Sequence, residues 1–196
     1  MLRRRTFLRV SLFIAFGAGL APAADDFVLA RNRVGNVIIG MPESAIYMVY
    51  PRQITKNVDL QLEGNPTPAV RVFLTKDRQR PSLVIRLDGP VPGVYGIEVM
   101  DSRFKTAKGI GVGSSLGQLR KTEKQLSFVS GEGVIGAVAR DLGMTFNLAV
   151  DSATESSLFD RNRQDRGTDY LSKIPAETKI YSVWVYGNPM PNEPHR

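Results

Sequence analysis

Lys105–Leu119 reads KTAKGIGVGSSLGQL, in which Gly109, Gly111 and Gly113 lead into Ser115-Leu116-Gly117-Gln118. A serine followed three residues later by glutamine is the capping box that opens a helix, because each side chain satisfies one backbone N–H left without a partner. Leu116, Leu119 and Arg120 continue it as a short amphipathic helix towards Lys124. The stretch predicts a tight glycine turn that closes one structural unit and opens another.

Upstream, Val37-Ile38-Ile39-Gly40-Met41-Pro42 runs the same way, from an apolar run through a glycine to a proline. Proline suits the first helical position, where its missing N–H would have had no partner. The predicted helix extends from Pro42 towards Tyr50, with Ala45, Ile46, Met48 and Val49 available to pack and Pro51 stopping it. Setting Gly40 against Gly113 places Pro42 opposite Ser115 and Ile46 opposite Leu119.

Period two follows each helix, the spacing of a sheet with one covered face. After the first, Val58, Leu60 and Leu62 alternate with polar residues up to a turn at Gly64-Asn65-Pro66. Val70, Val72 and Leu74 come next, then Leu83, Ile85 and Leu87, then Tyr95, Ile97 and Val99 after Asp88-Gly89-Pro90. After the second, strand-like segments run from Gln125 to Val129, Gly133 to Ala139, Met144 to Val150 and Lys179 to Tyr186. Connections this short favour antiparallel hairpins over parallel crossovers. The expected fold is α+β: two tandem repeats of a short helix followed by an antiparallel meander, the helices packed on one face of the sheet. Ser152 to Lys173, polar and charged, is expected as a long solvated loop.

The amino terminus has the layout of an export signal: Arg3, Arg4, Arg5 and Arg9 before an apolar run from Val10 to Leu20, then Ala21-Pro22-Ala23. Arg4-Arg5-Thr6-Phe7-Leu8-Arg9 is close to the twin-arginine consensus, so that route and the ordinary secretory one both fit. The expected divisions are a signal peptide at 1–23, repeats at 24–103 and 104–187, and a disordered tail at 188–196. The destination is periplasmic or secreted, and no later apolar run approaches the roughly 20 residues that cross a bilayer, so no transmembrane segment is expected in the mature chain. The formal charge of +7 falls to about +3 once the four signal arginines leave 22 basic residues against 19 acidic ones, too mild a balance to point to nucleic acid. The chain has no cysteine, which excludes disulfides, thiol catalysis and thiolate metal sites.

GMPESAI near the start, GVGSSLGQL in the middle and IPAETKIYSVWVYG at the end resemble bacterial exported proteins built from tandem helix-then-meander repeats. That architecture belongs to the β-lactamase inhibitor protein and to the small lipoprotein of the outer-membrane β-barrel assembly machinery. The resemblance covers most of the mature chain at the level of pattern. It implies the fold and protein binding as the commonest theme, and transfers no target and no individual binding residue.

Gly113-Ser114-Ser115-Leu116-Gly117 also fits G-x-S-x-G, the turn that presents a serine nucleophile in α/β-hydrolases. Asp151, Asp160 or Asp169 and then His195 supply the other members in chain order. This serine-hydrolase alternative stands against a helix cap at Ser115, and its context is an antiparallel pattern with the single histidine in the tail. The glycines, with Lys105 and Lys108, could also cradle an anion, although the P-loop lysine is missing. No metal-ligand spacing and no cofactor motif is present, so no enzyme chemistry is expected. The remaining reading is a binding module. If Val72, Ile85, Ile97, Phe146 and Val183 point inward, then Arg71, Phe73, Arg86, Glu98, Asn147, Trp184 and Tyr186 face outward. Of these, Arg71, Phe73, Arg86, Trp184 and Tyr186 are the candidate binding residues, being of the types enriched in interface hot spots. The expected partner is another envelope or secreted protein.

Overall fold

The computed structural model describes residues 24–62, 64–76, 78–87, 92–131, 134–158 and 170–187. The expected signal peptide, the expected disordered tail, His195, Asp160 and Asp169 lie outside the described residues.

The helix opened by Ser115 starts where its capping box places it. The other starts one residue later than expected, because Pro42 is extended and takes the N-cap position without a side-chain cap instead of the first helical one. Helix α1 (Glu43–Val49) follows Pro42, and α2 (Leu116–Thr122) follows Ser115, whose hydroxyl accepts from the Gln118 N–H while Gln118 accepts from the Ser115 N–H. Gly40 and Gly113, two residues before those N-caps, hold φ of +86° and +84°, a region costly to any residue with a Cβ. Their N–H groups donate to Val94 and Ile180, and one residue later the carbonyls of Met41 and Ser114 accept from the N–H groups of the same two residues.

The main sheet has eight antiparallel strands. The first four are β4 (Thr55–Leu62), β5 (Asn65–Val72), β6 (Leu83–Arg86) and β7 (Gly96–Val99). The second four are β9 (Ser127–Gly131), β10 (Val134–Ala139), β11 (Met144–Leu148) and β12 (Ile180–Tyr186). Their order, β4-β5-β6-β7-β12-β11-β10-β9, joins the two sets through their last strands. A smaller sheet, β3-β2-β1-β8, forms from β1 (Val28–Ala30), β2 (Arg33–Val34), β3 (Val37–Ile38) and β8 (Lys105–Thr106). Its strands are two or three residues long, too short for a period to show in the sequence. The chain is thus α+β with mostly β content.

Alternation decides the core. Val70, Ile85, Ile97, Val185, Met144 and Ala139 form one row across the sheet, and Val72, Leu83, Val99, Val183, Phe146 and Ala137 form the next. Every one of these is at most 1% exposed, and burying a large aliphatic or aromatic side chain is worth about 1.5–3 kcal/mol. They share a single cluster with Ile46 of α1, Leu116 and Leu119 of α2, and Leu29, Val34 and Phe104 around the smaller sheet.

Pairing settles one face that the sequence left open, and a further expectation is corrected. Val58 pairs with Ala69 and Leu60 with Thr67, so Val58, Leu60 and Leu62 lie on the sheet face opposite Val70 and Val72. Alternation within a strand is legible, but its phase relative to the next strand depends on register, and one residue of shift exchanges the faces. Ser152–Lys173 is also more than a solvated loop. Helix α3 (Ser152–Leu158) and α4 (Tyr170–Lys173) form there, and Leu158, Leu171 and Ile174 join the core. Leu158 and Leu171 lie too far apart in the chain to give a periodic signal, and Ile174 follows the segment. The Tyr170 ring lies against Phe128, centroids 5.1 Å apart.

Tyr50 closes α1 and is buried; burial, with the charges of Asp26 and Asp101, pushes its phenol up to about 12. The unfolded chain releases this proton near pH 10 and the folded chain only near 12, so the contribution is whole below pH 10 and is lost as pH rises towards 12. Stability is expected to fall by about 1.4 kcal/mol per unit across that window from this group. Denaturation midpoints of wild type and Tyr50→Phe between pH 9 and 12 check it, and parallel curves would refute it.

Candidate functional site

The sheet face opposite the core is built by the residues that alternate with the buried rows. Arg71, Val84, Glu98, Trp184, Thr145 and Val138 form one row on it, and Ala69, Arg86, Gly96 and Tyr186 the neighbouring one. Trp184 pairs with Glu98 across the central β7–β12 junction. Its ring lies over Gly96, since a Cβ there would fall 2.2 Å from Trp184 Cζ2. A side chain at position 96 would fill the space the indole occupies, so this glycine is needed for close approach.

Arg86 lies over the same indole, its guanidinium carbon 5.2 Å from the ring centroid and 6.0 Å from that of Tyr95. A guanidinium above an aromatic face is held by the ring quadrupole and keeps its N–H donors directed in the plane. Tyr95 and Tyr181 are each 43% exposed. Burial, followed by the charge of Glu98, pushes the Tyr181 phenol up, and burial likewise raises that of Tyr186 against a lowering hydrogen bond with Thr145. Next to them the buried Asn147 amide donates to Ser182 Oγ at 2.9 Å, joining β11 to β12.

The candidate residues therefore share a face but not one cluster. Arg86, Trp184 and Tyr186 come together around Gly96. Arg71 lies three strands from Trp184, roughly 14 Å at ordinary strand spacing, with its Nε buried and without a hydrogen-bond partner. Phe73 stands one residue beyond β5. Sequence reasoning missed Tyr95, Tyr181 and the supporting role of Gly96; a glycine inside an alternating strand was the signal for the last.

The other candidate chemistry is committed to structure. The Ser115 hydroxyl sits in the capping box, and Ser114 Oγ accepts from the Gly111 N–H at 3.2 Å. Asp151 caps α3, its carboxylate accepting from Thr154 N–H at 2.8 Å and from the Thr154 hydroxyl at 3.0 Å. Those bonds hold the Asp151 carboxyl below the usual range. Lys105 Nζ donates to the Val112 carbonyl, and Lys108 to that of Thr122 while pairing with Glu123 at 3.0 Å. Among the described residues no three His, Cys, Asp or Glu side chains are grouped to hold a metal ion, and no helix is long and apolar enough to cross a membrane.

Among solved structures, the uncharacterized protein YfeY from Escherichia coli is similar to this chain, with a TM-score of 0.54 and 14% identity over 82% of this chain and 99% of that one. At that identity the likeness concerns the fold. No family model matches the chain, and no curated protein matches it.

Proposed function

We propose that this chain is an exported binding protein of the cell envelope. It would be built from two tandem helix-then-meander units whose helices cover one face of the joined sheet, and it would take another envelope or secreted protein on the opposite face, around Trp184. A constant offset supports the repeat: Gly40, Met41, Pro42 and Ile46 correspond to Gly113, Ser114, Ser115 and Leu119, with the same φ at the glycines and the same bonds to Val94 and Ile180. In the last strands the offset is 86 instead of 73: Val94, matched to Ile180 by those shared bonds, makes Glu98 the counterpart of Trp184, and these two residues pair with each other. On that correspondence a quasi-twofold axis would pass between them, with the only tryptophan near the centre of the face.

The observation that carries the binding role is the indole laid on Gly96 beneath the Arg86 guanidinium. Tryptophan and arginine near the centre of a surface, ringed by tyrosines, are the composition of an interface hot spot. Export is supported by the arginine-rich, apolar and small-residue pattern of positions 3–23.

Capture from a cell-envelope extract with wild type and with the Arg86→Ala, Trp184→Ala double variant tests the reading. The partner captured by wild type is expected to bind the variant at least about tenfold more weakly, the scale of one hot-spot residue. Its addition is also expected to change the emission of Trp184 in wild type. Equal recovery by both proteins, with unchanged emission, would overturn the assignment of this face.

A further inference from the structure

The β4–β5 hairpin is longer than the sheet that carries it. Its two strands register over the whole of Thr55–Leu62 against Asn65–Val72, whereas β6 pairs with β5 only from Ala69 to Val72. Among the described residues, positions 59–62 and 65–67 pair only with each other as a two-stranded arm, and a two-stranded ribbon has little stability of its own.

The two edges of that arm differ. Pro68 and Val72 accept from the N–H groups of Leu87 and Ser82, so even-numbered residues of β5 turn their backbone groups towards β6. Pro66 and Pro68 occupy that side of β5 and offer no N–H, which guards the edge against a further strand. On the other side Phe73 donates to the Ile54 carbonyl, which sets the even-numbered residues of β4 towards β5. The backbone groups of Thr55, Asn57, Asp59 and Gln61 consequently point out of the sheet. Strand β4 ends the sheet order and carries neither a proline nor a bulge. The opposite edge strand, β9, is five residues long, and its Phe128 lies against Tyr170 of α4.

Val58, Leu60 and Leu62 of β4 are half-buried on the Trp184 face and stand outside the core cluster. We infer that β4 pairs antiparallel with β4 of a second copy of this chain, so that two eight-stranded sheets become one. The strand is self-complementary. With Leu60 on the twofold axis, Leu60 faces Leu60, Val58 faces Leu62, and Asp59 exchanges backbone bonds with Gln61. Six apolar side chains then form one patch, and no like charges stand directly opposite; centring on Asp59 would set that carboxylate against itself. Dimerisation would also place two Trp184 faces side by side, although the inference stands independently of what that face binds.

Sedimentation velocity of the purified chain over a concentration series is expected to give a mass that rises from one chain to two. Gln61→Pro removes an outward N–H that the single chain does not use, and is expected to weaken association at least tenfold while leaving the circular dichroism unchanged. Because the chain has no cysteine, Leu60→Cys supplies one thiol per copy. The axis pair would hold the two Cα atoms about 4.5 Å apart, within disulfide range. Mild oxidation is expected to give a covalent dimer from Leu60→Cys and much less from Gln61→Cys. A single-chain mass at every concentration, a doubled mass unaffected by Gln61→Pro, or no cross-link at Leu60→Cys would each overturn the inference. Should Gln61→Pro fail to fold, the cross-linking pair decides alone.

Discussion

Phe146→Ala is expected to cost about 3–5 kcal/mol of folding stability, the range for removing a buried aromatic ring. Phe146 is fully buried in β11, between Ala137 and Val183 in its row. Neither neighbour can swing in to fill the space, because both are small and both backbones are fixed by antiparallel ladders on either side. The cavity therefore stays open, which places the cost in the upper part of the range for large-to-small changes. Against a total of about 5–15 kcal/mol for a domain, this is a large fraction. At roughly 2–4 °C per kcal/mol for a domain of this size, the melting temperature should fall by on the order of 10 °C. Denaturant titration of Phe146→Ala beside Leu60→Ala is the measurement. Leu60 lies outside the core cluster and should cost well under half as much, so equal losses would show that the sheet faces are assigned wrongly.

Gly96→Val should be the most disruptive single change on the candidate site. A Cβ at this position would lie 2.2 Å from Trp184 Cζ2 and 2.4 Å from Cη2, well inside contact distance, and valine adds two methyl groups to it. Since Gly96 is itself buried in β7, the backbone cannot move aside without breaking its pairing with Arg86 and Tyr186. The indole must leave instead, giving up its contact with the strand and with the Arg86 guanidinium. Overpacking of this kind costs about 1–3 kcal/mol, and displacing the ring should reproduce the loss of capture expected for the double variant. Trp184 is the only tryptophan, so emission reads the displacement directly: a shift towards that of a solvated indole is expected. An unshifted spectrum with wild-type capture would show that the ring does not depend on this glycine.

The parts of the fold that were legible are those written in neighbouring residues. Ser115 and Gln118 announce a helix because the capping box closes over three residues, and Val70–Val72 or Ile97–Val99 announce a covered face because side chains two apart share it. The candidate site was half legible on the same terms. Arg71, Arg86, Trp184 and Tyr186 do lie away from the buried rows, as alternation requires. That Arg86 meets Trp184 while Arg71 does not depends on the order of the strands, which alternation leaves open. The same limit explains Val58, Leu60 and Leu62, an unambiguous apolar series whose face was set by pairing with Ala69 and Thr67.

By itself the sequence determined the local pieces: two short helices, one of them capped by Ser115 and Gln118, glycine turns at Gly40 and Gly113, and strands with one apolar face. Each follows from backbone sterics and short-range hydrogen bonds, which need no distant partner. Only the tertiary structure decided that β7 pairs with β12, that the residues around Leu158 and Leu171 fold back onto the core, and that β4 ends the sheet with its apolar side turned towards Trp184. The physical reason is that strand pairing uses the same N–H and C=O groups at every residue. Which strands meet is chosen by the burial of the whole set of side chains at once, and no single stretch contains that sum.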